Sequence, residues 1–342
     1  MKFVQESLIA SALRSFFVCF CAVLGISLSF LVILLFMGGL FSGQKLIEPQ
    51  FDLRVEANSQ GSTEIVSSTK PVVLQLAIEN VIGMGKLTQE NVTRNLNASR
   101  SGPLKEDRVK AILLTINSPG GAVFDADSIY QAILEYKSRY KVPVYAYVDG
   151  LCASGGMYIA CAADKIYASD VSLIGSVGVI SEHYNVVDLL KKVGVTALTL
   201  TSGKYKDDLN PTRVWEPGEE ERWKAISAYY YDRFVGIVTK ARSKITKEML
   251  VNEYGAQVFP APLALEKGYI DYTGASRADA LNALIKAAGI TEEYQVVSMH
   301  EDGLFGGLFG KDNALLKGQI VHRIEGFPEA ELANKPLYFY TP

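Results

Sequence analysis

Between Asp149 and Lys206 the chain gathers the residue types that acyl transfer needs. Asp149-Gly150-Leu151-Cys152-Ala153-Ser154-Gly155-Gly156 sets one serine among small residues, and Thr201-Ser202-Gly203-Lys204-Tyr205-Lys206-Asp207 is a polar loop with two lysines. A serine at a helix start most often serves as an N-cap. Here two glycines follow it in the first turn, where each costs ~1 kcal/mol against alanine in a helix interior. That cost is tolerated where something must approach the backbone closely. The Gly155 amide, at the positive end of the helix, suits a developing oxyanion. Cys152 is a second candidate nucleophile, but a reactive thiolate needs an electropositive setting that the sequence does not display.

Asn117-Ser118-Pro119-Gly120-Gly121 is turn chemistry between a strand and a helix. Beside the serine it becomes a second donor loop, with Gly120 bringing a bare amide close to the carbonyl under attack. Such donors typically lower a barrier by ~3 kcal/mol each. The nucleophile also needs a base. Of the three histidines, His183, His300 and His322, only His183 lies near the serine in sequence, and no acidic partner at a recognisable spacing comes with it. Lysine is the alternative, provided burial lowers a reference value of ~10.4 by about three units, or ~4 kcal/mol. Lys204 and Lys206 both qualify by position, and spacing does not choose between them.

Several elements must hold these residues in place. Residues 1–15 carry Lys2 and Arg14 against Glu6, and 16–41 run without a charge. That run exceeds the ~7–15 residues of a signal-peptide core and is long enough to span a bilayer, so an uncleaved anchor with a cytoplasmic N-terminus is expected. Polar residues 42–70 read as a linker, 71–290 as the main domain and 291–342 as a C-terminal extension. Strands are expected over 72–78, 110–116, 142–148, 165–168 and 195–200, and helices over 126–138, 154–163, 186–193, 218–242, 246–253, 261–267 and 277–288. Residues 303–310 read as an apolar loop and 336–340 as an edge strand. Alternating strands and helices predict a mainly parallel sheet whose strand exits at Gly120, Ser154, Ser176 and Lys206 share one edge.

Composition narrows the partners. Net charge is −3 and no basic stripe interleaves with aromatics, so nucleic acid is not an expected partner. The four cysteines show no metal-binding spacing, and neither metal nor cofactor is expected. Cys152 and Cys161, ~12 Å apart along a helix, are too distant for a disulfide, which needs ~7 Å.

Four motifs carry a resemblance: Asn117-Ser118-Pro119-Gly120-Gly121, Ala153-Ser154-Gly155-Gly156, Ile174-Gly175-Ser176-Val177-Gly178-Val179 and Ser202-Gly203-Lys204-Tyr205-Lys206-Asp207. In order and spacing, over about 71–271, the chain resembles the signal peptide peptidase A (SppA, protease IV) family of serine peptidases in its short, single-repeat form. The resemblance implies an α/β chain of the Clp-protease/crotonase-like fold, with a mainly parallel sheet and flanking helices, preceded by one transmembrane helix. It implies a Ser–Lys dyad of Ser154 and Lys206, with Ser176 orienting the lysine and Gly120 and Gly155 forming the oxyanion hole. It also implies a homo-oligomeric ring in a bacterial inner membrane, with the catalytic domain on the extracytoplasmic side. The substrates would be remnant signal peptides. Val81, Ile82, Gly83 and Met84 are expected to line the cleft and pair with an extended peptide. Two other classes stay open, a catalytically silent ring-forming scaffold and a crotonase-type acyl-CoA enzyme.

Overall fold

The computed structural model describes residues 8–41, 52–300 and 337–339. The chain divides after Gln50 into two units. In the first, helix α1 (Leu8–Phe41) contains a stretch, Leu13–Ile33, of mean hydropathy 2.7, long and apolar enough to cross a membrane.

In the second unit, nine strands join into one sheet. They are β1 (Asp52–Glu56), β2 (Val72–Ile82), β3 (Val109–Ala122), β4 (Val144–Ala153), β5 (Lys165–Ala168), β6 (Leu173–Gly175), β7 (Val258–Pro260), β8 (Gln295–His300) and β9 (Leu337–Phe339). Their order is β1-β8-β2-β3-β4-β6-β7, with β5 also on β4 and β9 also on β3. The central pairs β2–β3 and β3–β4 are parallel, as are β2–β8, β4–β5 and β4–β6. Antiparallel pairs occur at β1–β8, β6–β7 and β3–β9.

Strands buried on both faces read as continuous apolar runs. On β2, Val72, Leu74, Leu76 and Ile78 join the larger core, while Val73 faces a smaller one. On β3, Ile112, Leu114 and Ile116 alternate in the same way with Ala111 and Leu113. The larger core is closed by helices α2 (Gln89–Ala98), α3 (Val123–Tyr140), α4 (Gly155–Ala160) and α6 (Glu219–Ala241). Helix α8 (Arg277–Ala287) covers the other face, started by a reciprocal capping box between Ser276 and Asp279. Helices α5 (Val187–Lys192) and α7 (Ala261–Glu266) are short.

Several expectations change. The stretch 42–70, read as linker, contributes edge strand β1. The strand expected over 110–116 runs on through the Ser-Pro-Gly-Gly turn to Ala122, and the one expected over 142–148 runs to Ala153. Residues 195–200 form no strand: Leu198 and Leu200 stand exposed, outside the cores that the sheet packs against. The helix expected over 246–253 is a π-helical turn, Met249–Tyr254. Helix α2 and strands β6, β7 and β8 are further elements that the residue pattern does not announce. Residues 303–310 lie outside the described residues.

Asp271 ties the end of α6 to the start of β5. Arg242 Nη1 donates to it at 2.9 Å, the Ile166 amide at 2.9 Å and Lys165 Nζ at 3.1 Å. Burial works to raise this carboxyl, but the bonds from Arg242, Ile166 and Lys165 outweigh it and hold it below its ordinary value. A depressed folded-state value means the stabilisation is complete above the ordinary carboxylate range. It is lost as pH falls through the folded value. Asp271→Asn should cost about 3 kcal/mol at pH 7, leaving Arg242 buried without its partner. In thermal melts, the gap between wild type and variant should narrow as pH drops below about 4.

Candidate active site

Strand β4 pairs with β6 up to Ala153↔Gly175, and the chain then turns sharply at Ser154 into α4. The turn requires φ 53° and ψ −118° at Ser154, a left-handed conformation that disfavours any residue with a Cβ. Such backbone costs on the order of 1–3 kcal/mol and persists only where its surroundings hold it. Here the Ser154 amide donates to Gly175 O at 2.9 Å, and the Tyr158 amide donates to Ser154 O at 3.0 Å. Tyr158 is itself pinned, its hydroxyl donating to Asp127 at 2.5 Å while Arg233 holds the same carboxylate.

Ser154 does not act as an N-cap. Its side chain makes no capping bond, and among the described residues its buried Oγ has no hydrogen-bond partner. A buried, unpartnered hydroxyl on strained backbone is an expensive arrangement for a structural residue. Gly155 is the first residue of α4, so its amide has no acceptor within the helix. Gly156 packs so closely that a Cβ there would lie 3.0 Å from Ser118 O.

Gly120 stands at φ 103° on the adjoining part of β3, and its amide donates to Ser118 Oγ at 3.2 Å. Ser118 in turn donates to Asn80 O at 2.6 Å. Ser118 orients the donor loop from below, a role that its place in a Ser-Pro-Gly-Gly turn does not signal. An incoming anionic oxygen offers the Gly120 amide a stronger, charge-assisted bond than this long contact with a neutral hydroxyl.

Ser176 follows Gly175 as Ser154 follows Ala153, the last pair of the β4–β6 ladder, so each serine is the first residue beyond that ladder on its own strand. Ser176 is buried, also at φ 53°, and its amide donates to Gln257 O at 2.7 Å. Gly175 must be glycine here, since a Cβ would meet Gln257 O at 2.5 Å. Ser154 and Gly155 thus lie at the exit of β4, Ser176 at the exit of β6 beside it, and Gly120 on the neighbouring strand β3.

Lys206 is arranged differently. It is exposed, and no hydrogen bond joins Ser154 Oγ to it within the chain. Its loop is nevertheless well anchored. Arg213 bonds Asp207 at 2.8 Å and Glu219 at 2.7 Å, and Arg222 bonds Asp208. Glu219, almost fully buried, also accepts from the amides of Leu209 at 2.8 Å and Glu216 at 3.2 Å. Tyr205 lies under Arg222 at 4.0 Å and Lys204 at 4.7 Å. The start of α6 therefore holds the lysine loop, a role for Glu219 that no sequence spacing announces.

The remaining candidates separate cleanly. Cys152 is fully buried and burial pushes its thiol up, the opposite of a reactive thiolate. Cys161 is pushed up to about 12 for the same reason. Both are free thiols. His183 bonds Ser181 Oγ at 2.9 Å and packs on Trp223, so it serves α6 and not Ser154. Of the four residues expected to line the cleft, Ile82 is core and Gly83 abuts Ala122 and Asp125. Val81 and Met84, with Ile180, pack around Ala122. No substrate strand can add at 83–87, because the Gly83, Met84 and Leu87 amides bond within their own turn. Among the described residues no group of three His, Cys, Asp or Glu could hold a metal ion.

A strained serine beside glycine amides, at the carboxyl edge of a mainly parallel sheet, is the arrangement of a serine peptidase. Comparison with known proteins agrees. The Clp protease family model matches residues 68–172, and the Peptidase family S49 model matches 137–291, which contains Ser154, Ser176 and Lys206. The chain is 33% identical over 246 residues to a candidate signal peptide peptidase SppA of Enterococcus faecium, covering 68% of this chain and 70% of that protein. It is 31% identical over 237 residues to a candidate protease of Synechocystis, covering 69% and 81%. Protease 4 of Salmonella typhi is 30% identical over 209 residues, 61% of this chain and 33% of that longer protein. The chain belongs to peptidase family S49, and its fold is Clp-protease-like.

The anchoring of the lysine loop gives a direct expectation. Glu219→Ala should free residues 203–216 while the sheet stays folded, because those contacts are local to the loop. Trypsin cleavage after Lys204 and Lys206 should speed up at least about tenfold with little change in Tm. Unchanged cleavage would show that Glu219 does not hold the loop.

Proposed function

We propose that this chain is a membrane-anchored serine endopeptidase that hydrolyses apolar peptides, of the kind left in a membrane when signal peptides are removed. The observation that carries it is Ser154: strained, buried and, among the described residues, without a hydrogen-bond partner for its Oγ, beside the first amide of α4 at Gly155. Ser154 Oγ attacks the peptide carbonyl and its proton passes to the side-chain amine of Lys206. The carbonyl oxygen, now anionic, is held by the amides of Gly155 and Gly120. The lysine ammonium then protonates the leaving amine, and water releases the acyl group from Ser154 by the same path in reverse. Ser176, beside Ser154, orients the amine. Helix α1 holds the chain at the lipid where such peptides remain, with the catalytic unit outside the cytoplasm.

The lysine comes from a neighbouring copy of the chain. Two observations support this reading. Among the described residues Ser154 Oγ is without a partner, and the lysine loop is exposed yet anchored by ion pairs. Just before it, Leu198 is 82% and Leu200 86% exposed in a stretch with a strand-like sequence and no strand partner. An apolar segment of this kind needs a covering surface. A head-to-tail ring would supply one and place each Lys206 beside the next Ser154.

A fluorophosphonate probe tests the chemistry. Wild type should label, Ser154→Ala should not, and Lys206→Ala should lose labelling and peptidase activity where Lys204→Ala keeps both. A folded wild-type chain that never labels would point to a silent scaffold. Co-assembling Ser154→Ala with Lys206→Ala in equal amounts should restore about a quarter of wild-type activity if each site draws on two chains. No restoration on co-assembly would place both groups in one chain.

A further inference from the structure

Helix α4 opens with Gly155-Gly156 and ends at Ala160, six residues in all. Isolated helices shorter than about 12–15 residues are marginal in water, and glycine is among the poorest helix formers. Left to itself, α4 cannot set its own direction. The Ser154 carbonyl accepts the first bond of this helix from the Tyr158 amide at 3.0 Å, and the Ser154 amide donates to Gly175 O. The corner therefore takes its geometry from Gly175 on one side and from whatever holds Tyr158 on the other.

Two helices hold Tyr158, and each does so twice. From α3, Tyr130 meets the ring edge-on at 5.4 Å between centroids. Asp127, one turn earlier on the same face of α3, accepts the phenol hydroxyl at 2.5 Å. From α6, Phe234 packs against the ring at 5.0 Å. Its neighbour Arg233 donates to the same Asp127 oxygen through Nε at 3.0 Å and Nη2 at 2.6 Å. One carboxylate oxygen thus takes three donors, and charge-assisted bonds are roughly twice as strong as neutral ones. The Tyr158 ring is fully buried, whereas Arg233 closes the chain of bonds from the solvent side, its side chain 39% exposed. Phenylalanine at 158 would satisfy the aromatic packing equally well. The hydroxyl and its charged partners fix how the ring, and with it the start of α4, is turned.

We infer that Arg233, Asp127 and Tyr158 form a positioning relay that fixes the Ser154 turn relative to the Gly120 amide. The inference rests on the peptidase reading above and names residues that serve its reaction without touching substrate. Gly120 belongs to β3, so its position is set by the sheet, while that of Gly155 is set by α4. An oxyanion must meet both amides as Ser154 Oγ attacks, so a small rotation of α4 weakens the transition state more than the grip on the peptide. The helix that supplies Arg233 also begins with Glu219, which anchors the lysine loop. The serine turn and the lysine loop of each chain are thereby referred to one element.

Three variants of the full-length protein test the relay. Tyr158→Phe keeps the buried ring and removes the hydroxyl, Arg233→Gln removes the outer charge from a part-exposed side chain, and Arg233→Lys restores a cation. The first two should each lower kcat for an apolar peptide, and the rate of fluorophosphonate labelling, at least about tenfold, with KM within about twofold of wild type. Arg233→Lys should be at least about threefold faster than Arg233→Gln. Amide exchange gives a readout that needs no catalysis. At Ser154 and Tyr158 it should be at least about tenfold faster in Tyr158→Phe and Arg233→Gln, with exchange along β2 and β3 unchanged. Wild-type kcat and labelling in both variants would overturn the inference even if Tm fell, since Asp127 would then be a structural tie alone. Equal exchange at Ser154 and Tyr158 in all four proteins would overturn it as well. If wild type itself never labels, the peptidase reading fails, and exchange at Ser154 still decides whether the relay holds the turn.

Discussion

The site depends on one constraint, the left-handed backbone of Ser154. A strand running along the sheet must stop and turn at once into a helix, and the residue at the corner is one with a Cβ. The corner holds because the carbonyl of Gly175 grips the serine amide and a helical bond from Tyr158 grips its carbonyl. The glycines around it follow from the same crowding. Gly156 must pass Ser118 O, and Gly175 must pass Gln257 O, at distances that leave no room for a Cβ unless the neighbour shifts. Held this way, the hydroxyl is free of the capping role a serine would normally take at a helix start.

The two halves of the chemistry are secured by different physics. Ser154, Gly155 and Ser176 sit on strands and helices buried in the main core, where packing and ladder bonds define positions closely. The lysine loop lies over the surface and is held by ion pairs and buried carboxylate bonds centred on Glu219 and Arg213. That division suits the proposed reaction, in which the base arrives from another copy. The loop must be stiff enough to dock as a unit, yet it cannot be part of the core it approaches.

The β3 edge links fold to site. In a parallel sheet an early departure by one strand leaves its neighbour with unpaired amides and carbonyls, a ready template for any extended segment. Here that departure is the Ser154 turn itself, so the uncovered edge and the buried serine arise from one structural event. Among the described residues the strand paired at that edge is β9.

Much of this is legible in the residues. Two-faced burial makes β2, β3 and β4 readable as apolar runs, and the paired glycines after Ser154 and Ser118 mark close backbone approaches. Cys152 lacks an electropositive setting in the sequence, and its full burial in the fold excludes it for a second reason. The stretch 195–200 has a strand's pattern without being a strand, because the pattern records a face to be covered and not what covers it. Ile82 and Gly83 fall outside the cleft for a related reason, since apolar residues near a turn look alike whether they face a cleft or the core. Ser118, Glu219 and the pairing of β9 with Gly120–Ala122 join residues far apart in the chain, and no local pattern encodes such a meeting. The sequence by itself determined which side chains and bare amides are available, because chemistry and backbone freedom belong to residue types. Only the tertiary structure decided which of them share a pocket, because that follows from where strands end and which edges they leave open.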